Sequence, residues 1–165
     1  MMVRNVHERL LNAPVTRIGE LLDTLASAND RLWPRDRWPA MRFDRPLQVG
    51  AVGGHGPIRY TVEAYEPERM IRFRFSAPRG FIGWHGCTVE AAGDGYTLLR
   101  HTLEMRLEGP ALLTWPLVFR PLHDALIEDA LDRAEAFAAG RAVAPRAWSG
   151  YVVLLRRLLA RRTAA

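Results

Sequence analysis

The chain contains no lysine, and all 23 of its basic residues are arginine. That absence removes Schiff-base catalysis and a Walker-type phosphate loop, both of which need a primary amine. Cysteine is almost as scarce. Cys87 stands alone, which excludes an internal disulfide and suits a reducing cytoplasm, the expected location. No uninterrupted run of about 18 apolar residues exists to span a membrane. The opening stretch MMVRNVHERLLNAP sets Glu8 and Arg9 where a signal peptide needs an apolar run, so no leader is expected. Acidic residues stop at Glu135; from residue 141 onward there are six arginines and no acid, so the first 140 residues sum to about −1 of the overall +5. A nearly neutral body argues against a nucleic-acid partner, whose binding face would carry its own arginines.

What is present suits one globular unit large enough to enclose a cavity. VRNVHERLL reads as a first strand whose alternation leaves the inward face open. Pro14 opens a helix with Val15, Ile18, Leu22 and Leu25 at helical spacing, ending near Asn29. A proline- and tryptophan-rich connection follows (Leu32 to Pro46), in which Trp33 and Trp38 cap one end of the core. Leu47 to Glu108 then alternate as strands and tight turns, an antiparallel meander. Beyond Gly109 the period becomes helical, with Pro116 and Pro121 near the start.

A turn at Tyr65-Glu66-Pro67-Glu68 sets Val62 opposite Ile71, Tyr60 opposite Phe73 and Ile58 opposite Phe75, with Arg59, Glu63, Arg72 and Arg74 on the wet face. Gly93-Asp94-Gly95 suits a three-residue hairpin loop with left-handed glycine, which pairs Val89 with Leu99, Cys87 with His101 and His85 with Leu103. Two histidines thereby reach the dry face of the sheet. On a helical wheel of Leu122 to Ala138 the apolar arc holds Leu126, Ile127, Ala130, Leu131 and Ala134, with His123 in its middle. Asp124, Glu128, Asp132 and Glu135 fall on the opposite, solvated side. Three imidazoles thus face one layer between sheet and helix.

The element order, the glycine-rich loop and strand GGHGPIRYTVEAYEP (Gly53 to Pro67), and the helix PLHDALIEDALDRAEAF resemble the START-related superfamily. That superfamily includes the birch-pollen allergen type, lipid-transfer domains and polyketide cyclase/dehydrase relatives. The resemblance covers about Val3 to Gly140. It implies an α+β helix-grip fold, in which a curved antiparallel sheet wraps a long C-terminal helix with a hydrophobic cavity between them. It implies a small apolar ligand (polyketide-, aromatic- or lipid-like) and no particular reaction. Residues 1–140 then form the ligand-binding domain, and 141–165 a basic amphipathic extension.

The chemistry rests on the chain's own histidines. His85, His101 and His123 are the candidate catalytic residues, since burial keeps an imidazole neutral and able to take a proton from a bound carbonyl compound, as cyclisation or dehydration requires. Tyr60, on the same face, would donate to the carbonyl oxygen, and Phe73, Phe75, Cys87, Leu103, Ile127 and Ala130 line the ligand. Trp115 stands at the mouth and His55 in the rim loop. Asp124 reads as a solvated first-turn acid. No cofactor is expected, and no HxH or HxxxH spacing supplies two zinc ligands at once. The competing reading is a non-catalytic carrier or sensor of the same ligand. The tail stripe of Trp148, Tyr151, Val152, Leu155 and Leu159 docks on the body, on a second copy or on an anionic membrane, and docking on protein is the expectation.

Overall fold

The computed structural model describes residues 1–144 and 146–163, with side chains as far as Leu159; Arg161 and Arg162 of the basic tail lie outside the described side chains. Seven antiparallel strands form one curved sheet: β1 (Met2–Asn12), β2 (Arg42–Phe43), β3 (Val52–His55), β4 (Ile58–Glu66), β5 (Met70–Ala77), β6 (Phe81–Ala91) and β7 (Tyr96–Leu107), in spatial order β1-β7-β6-β5-β4-β3-β2. Among the described residues four helices accompany it: α1 (Val15–Asp23), α2 (Ala111–Thr114), α3 (Arg120–Ala139) and α4 (Gly150–Thr163). A π-helical turn, Trp115–Phe119, joins α2 to α3 so that Ala111 to Ala139 run as one long helix across the sheet. This is the helix-grip architecture expected from the sequence. No helix among the described residues is long and apolar enough to cross a membrane.

The β6–β7 hairpin has the expected register: Val89 pairs with Leu99, Cys87 with His101 and His85 with Leu103. Its turn works because Gly93 and Gly95 sit at φ 104° and 77°, which other residues adopt only with strain. Along β7 every second residue from Thr97 to Leu107 is buried, as a one-sided sheet requires.

The β4–β5 register differs from expectation. Next to the turn Tyr65 pairs with Ile71 and Glu66 with Met70, and a bulge between Val62 and Ala64 then shifts the pairing by one, so that Val62 faces Phe73 and Tyr60 faces Phe75. An extra residue in one strand leaves faces beyond the bulge unchanged in kind but shifts every partner. The turn lies one residue later than read, closed by Arg69 N donating to the Glu66 carbonyl at 3.0 Å with Glu68 at φ 63°.

α1 stops at Asp23, short of Asn29, because Ala26 takes a left-handed conformation (φ 59°). The buried Asp30 carboxylate then organises the exit, accepting from the backbone N–H groups of Ala26, Leu32 and Trp33 at 2.8, 3.0 and 2.8 Å.

The acids of α3 are not left to solvent alone. Inward positions of β1 are polar (Asn5, His7 and Arg9), and these meet Asp124, Glu128, Asp132 and Glu135 across the β1–α3 contact. Asp129 goes further: its carboxylate is 2% exposed and accepts from Trp38 Nε1 (2.6 Å), Trp148 Nε1 (3.0 Å) and Arg37 Nη1 (2.7 Å).

That acceptor fastens α4 to the body. Val152 and Leu155 are buried beside it, and the Arg156 guanidinium lies 4.3 Å from both Trp38 and Trp148 ring centres. Tyr151 and Leu159, expected within the docked stripe, are instead 47% and 38% exposed. The Tyr151 hydroxyl still has a purpose, donating at 2.6 Å to the Leu117 carbonyl. Pro121, four residues on, has no N–H to give that oxygen.

Candidate functional site

The alternation of β6 and β7 brings two imidazoles side by side under α3. His85 is 7% exposed and His101 4%, and His85 Nδ1 lies 3.4 Å from His101 Nε2. The second ring nitrogen of each, Nε2 of His85 and Nδ1 of His101, is buried without a hydrogen-bond partner. His123 descends from α3 to 5.1 Å from the His101 ring, and its Nε2 is likewise without a partner. Buried polar atoms are nearly always paired, so three unpaired ring nitrogens in one layer single it out as the candidate site.

Aromatic rings surround His85. Tyr60 meets it edge-on at 4.9 Å, Phe73 lies at 5.1 Å, and Phe75 stacks on it at 4.8 Å and 26°. Tyr60, Phe73 and Ile127 are buried in the larger hydrophobic cluster, with Cys87 and Ala130 packed against it. Leu103 and Trp115 belong to a smaller cluster built on Phe81. Phe75 and Phe119, both half-buried, touch the two clusters, so the expected lining divides into two groups that meet over His85. His55, from the glycine-rich loop, reaches the same layer: its Nδ1 is 3.0 Å from the Tyr60 hydroxyl, and its ring lies 4.7 Å from Trp33.

The electrostatics follow from dryness. Loss of hydration drives His85 and His101 well below the ordinary histidine range, with neighbouring imidazoles adding to the effect, so both are neutral. Burial also lowers His123, against the opposing pull of Asp124, and takes His55 down to about 3. The same cause raises Tyr60 well above its usual value and pushes Cys87 up to about 12, leaving the first a hydrogen-bond donor and the second an unreactive thiol.

The sequence reading missed His7. It completes a line in which all five histidines follow one another through the molecule, from His55 through Tyr60, His85, His101 and His123 to His7. Asp124, read as a solvated acid, is half-buried between His123 and His7, with Oδ1 at 3.4 Å from His123 Nδ1 and 3.1 Å from His7 Nε2. The hydrogen bond to Asp124 raises the His7 pKa against the cost of burial. Burial opposes ionisation of Asp124, but its hydrogen bonds from His123, His7 and Asn5 hold the carboxylate far below its usual range. A local cue did exist: Asn5, His7 and Arg9 alternate on one strand face, and acids recur at helical spacing from Asp124 to Glu135.

No protein-family model and no curated protein sequence matches the chain. Solved structures do. Norcoclaurine synthase of Thalictrum flavum, a point mutant in complex with a transition-state analogue, superposes with a TM-score of 0.63 at 14% identity, covering 85% of this chain and 96% of that one. CalU16 from Micromonospora echinospora gives 0.58 at 16% identity over 99% and 94%. EF2215 from Enterococcus faecalis, described as a conserved protein of unknown function, gives 0.59 at 14% identity over 99% and 86%. The chain therefore shares the fold of these structures, the helix-grip arrangement to which the sequence pointed.

Proposed function

We propose that the layer between the sheet and α3 binds a small apolar molecule carrying a carbonyl group, and that His85 and His101 perform acid–base chemistry on it of the kind needed for cyclisation or dehydration. The observation that carries this reading is the pair of neutral imidazoles 3.4 Å apart, each with a buried ring nitrogen left unpaired. Residues 1–140 supply the ligand-binding unit, and 141–165 an extension fastened through Trp148. The single thiol, Cys87, agrees with a cytoplasmic location. The fold holds a transition-state analogue in the norcoclaurine synthase structure, which supports a small-molecule role.

In this mechanism His85 keeps its proton on Nδ1, directed at His101 Nε2, and offers the Nε2 lone pair to the substrate. The carbon–hydrogen bond beside the carbonyl breaks, the proton passes to His85 Nε2, and the electron pair moves onto the carbonyl oxygen. The Tyr60 hydroxyl, which burial keeps protonated, donates to that developing oxyanion. His101 spreads the positive charge formed on His85. A ligand approaching His85 displaces the half-buried Phe75 ring stacked on it.

Deuterium uptake into the methyl group of 2-acetonaphthone in heavy water, followed by NMR, tests the reading. The protein is expected to accelerate exchange, and His85→Ala to slow it by roughly 100-fold or more while naphthyl fluorescence still reports binding. Binding without exchange in the unaltered protein would instead favour a carrier, and absence of both would overturn the ligand site itself.

A further inference from the structure

The β1–α3 seam presents a second constellation that the reading above does not use. His7 Nε2, from the inward face of β1, and His123 Nδ1, from the opening turns of α3, both converge on Asp124 Oδ1, at 3.1 and 3.4 Å. One donor atom from each of the three residues lies within 4.8 Å of the others. Four ligands around a tetrahedral zinc ion with bonds of 2.0–2.1 Å are separated by about 3.3 Å, so these two edges already have the length a shared ion would impose.

The surroundings are those of a metal ligand set as well. His7 directs its other nitrogen, Nδ1, at Glu128 Oε1 at 2.8 Å. A carboxylate behind a histidine fixes the tautomer that turns the Nε2 lone pair toward an ion. Asn5 Nδ2 donates to Asp124 Oδ1 at 2.9 Å and holds that carboxylate in place, while Asn5 Oδ1 is buried without a partner beside it. An open cleft of about 250 Å³, lined by Met1 to Asn5 with Trp115, Pro116 and Arg120, lies beside the seam, with Asn5 as the wall that bonds Asp124. Trp115 packs 5.7 Å from the His123 ring.

We infer that His7, His123 and Asp124 form a binding site for a divalent transition-metal ion of the zinc class, with Glu128 as the supporting carboxylate and a fourth position left for water or a small ligand. Two imidazoles and one carboxylate suit zinc, cobalt or nickel better than calcium or magnesium, which require oxygen-rich shells. Three protein ligands with one open position is the arrangement of a site that binds water or a small ligand, unlike a closed structural site. The inference is independent of the acid–base reading of His85 and His101.

Cobalt titration of the full chain at pH 7.5 tests it. The protein is expected to take up one equivalent of Co²⁺ with the intense visible ligand-field bands of a four-coordinate site, and Zn²⁺ is expected to displace it. His123→Ala and Asp124→Asn abolish those bands with far-ultraviolet circular dichroism unchanged, and His101→Ala, one ring away, retains them. Glu128→Gln weakens binding by roughly 10–100-fold, the signature of a second-layer carboxylate. No stoichiometric uptake by the unaltered protein, or bands that survive both His123→Ala and Asp124→Asn, would reduce the cluster to a salt-bridge network and overturn the inference.

Discussion

Trp38 and Trp148 donate their indole N–H groups to the same atom, Asp129 Oδ2, at 2.6 and 3.0 Å, and their rings meet edge-to-face at 5.4 Å. One comes from the connection after α1 and the other from the segment before α4, so a single carboxylate joins the chain's last helix to its core. Asp129→Asn removes the charge that Arg37 pairs with and turns one acceptor into a donor facing an N–H group. Removing one partner of so buried a charge costs about 3 kcal/mol. Urea denaturation followed by tryptophan fluorescence is expected to read that loss, and an unchanged midpoint would contradict it.

Arg9 is the corresponding anchor of β1. Its guanidinium reaches Glu128 at 2.9 Å and Asp132 at 3.1 Å and also bonds Glu135, while the Asp132 side chain is only 9% exposed. Arg9→Ala leaves these acids facing one another in a half-dry seam, with Arg146 beside Glu128 and Asp132 and His7 beside Glu128. The expected loss is about 2 kcal/mol, checked by the same denaturation with m unchanged.

Stability is expected to fall on mild acidification. His55, His85 and His101 have folded-state pKa values depressed below 6.5, so below that pH the unfolded chain takes up protons that the folded chain refuses. Their contribution is fully present above about pH 6.5 and drains away as pH drops toward each group's lowered value, about 3 for His55, at up to about 1.4 kcal/mol per pH unit for each group. His7 works in the opposite sense: its raised pKa favours the fold at low pH and is lost as pH rises through that value. The three depressed groups, with His123 lowered as well, outweigh one raised group. The urea midpoint should therefore fall between pH 7 and 5, and His85→Phe should flatten the slope. A midpoint that holds or rises over that interval would contradict neutral burial of these rings.

The legible parts of this chain are those governed by local chemistry. Gly93-Asp94-Gly95 determines its own loop, so the pairing of Cys87 with His101 followed from the turn alone. The same reasoning failed at β4–β5 because the turn falls at Glu66 to Arg69, one residue later than read, and because the bulge near Glu63 has no signature in an alternating run. His123 was legible from a helical wheel, yet the wheel misjudged the opposite side of α3. Its acids look solvated until β1, more than a hundred residues away in sequence, presents Asn5, His7 and Arg9 to them. Asp129 escaped notice for the same reason, since its partners lie at Trp38 and Trp148.

The central claim is that His85 and His101 are neutral, buried and available to a bound carbonyl compound. Nitrogen-15 NMR of their ring atoms at pH 6, with and without saturating 2-acetonaphthone, addresses it most directly. The account predicts neutral tautomers in both rings, a proton on His85 Nδ1, and a shift at His85 Nε2 on adding the ketone. Imidazolium signals from either ring at that pH, or resonances that do not move when the ketone binds, would contradict it.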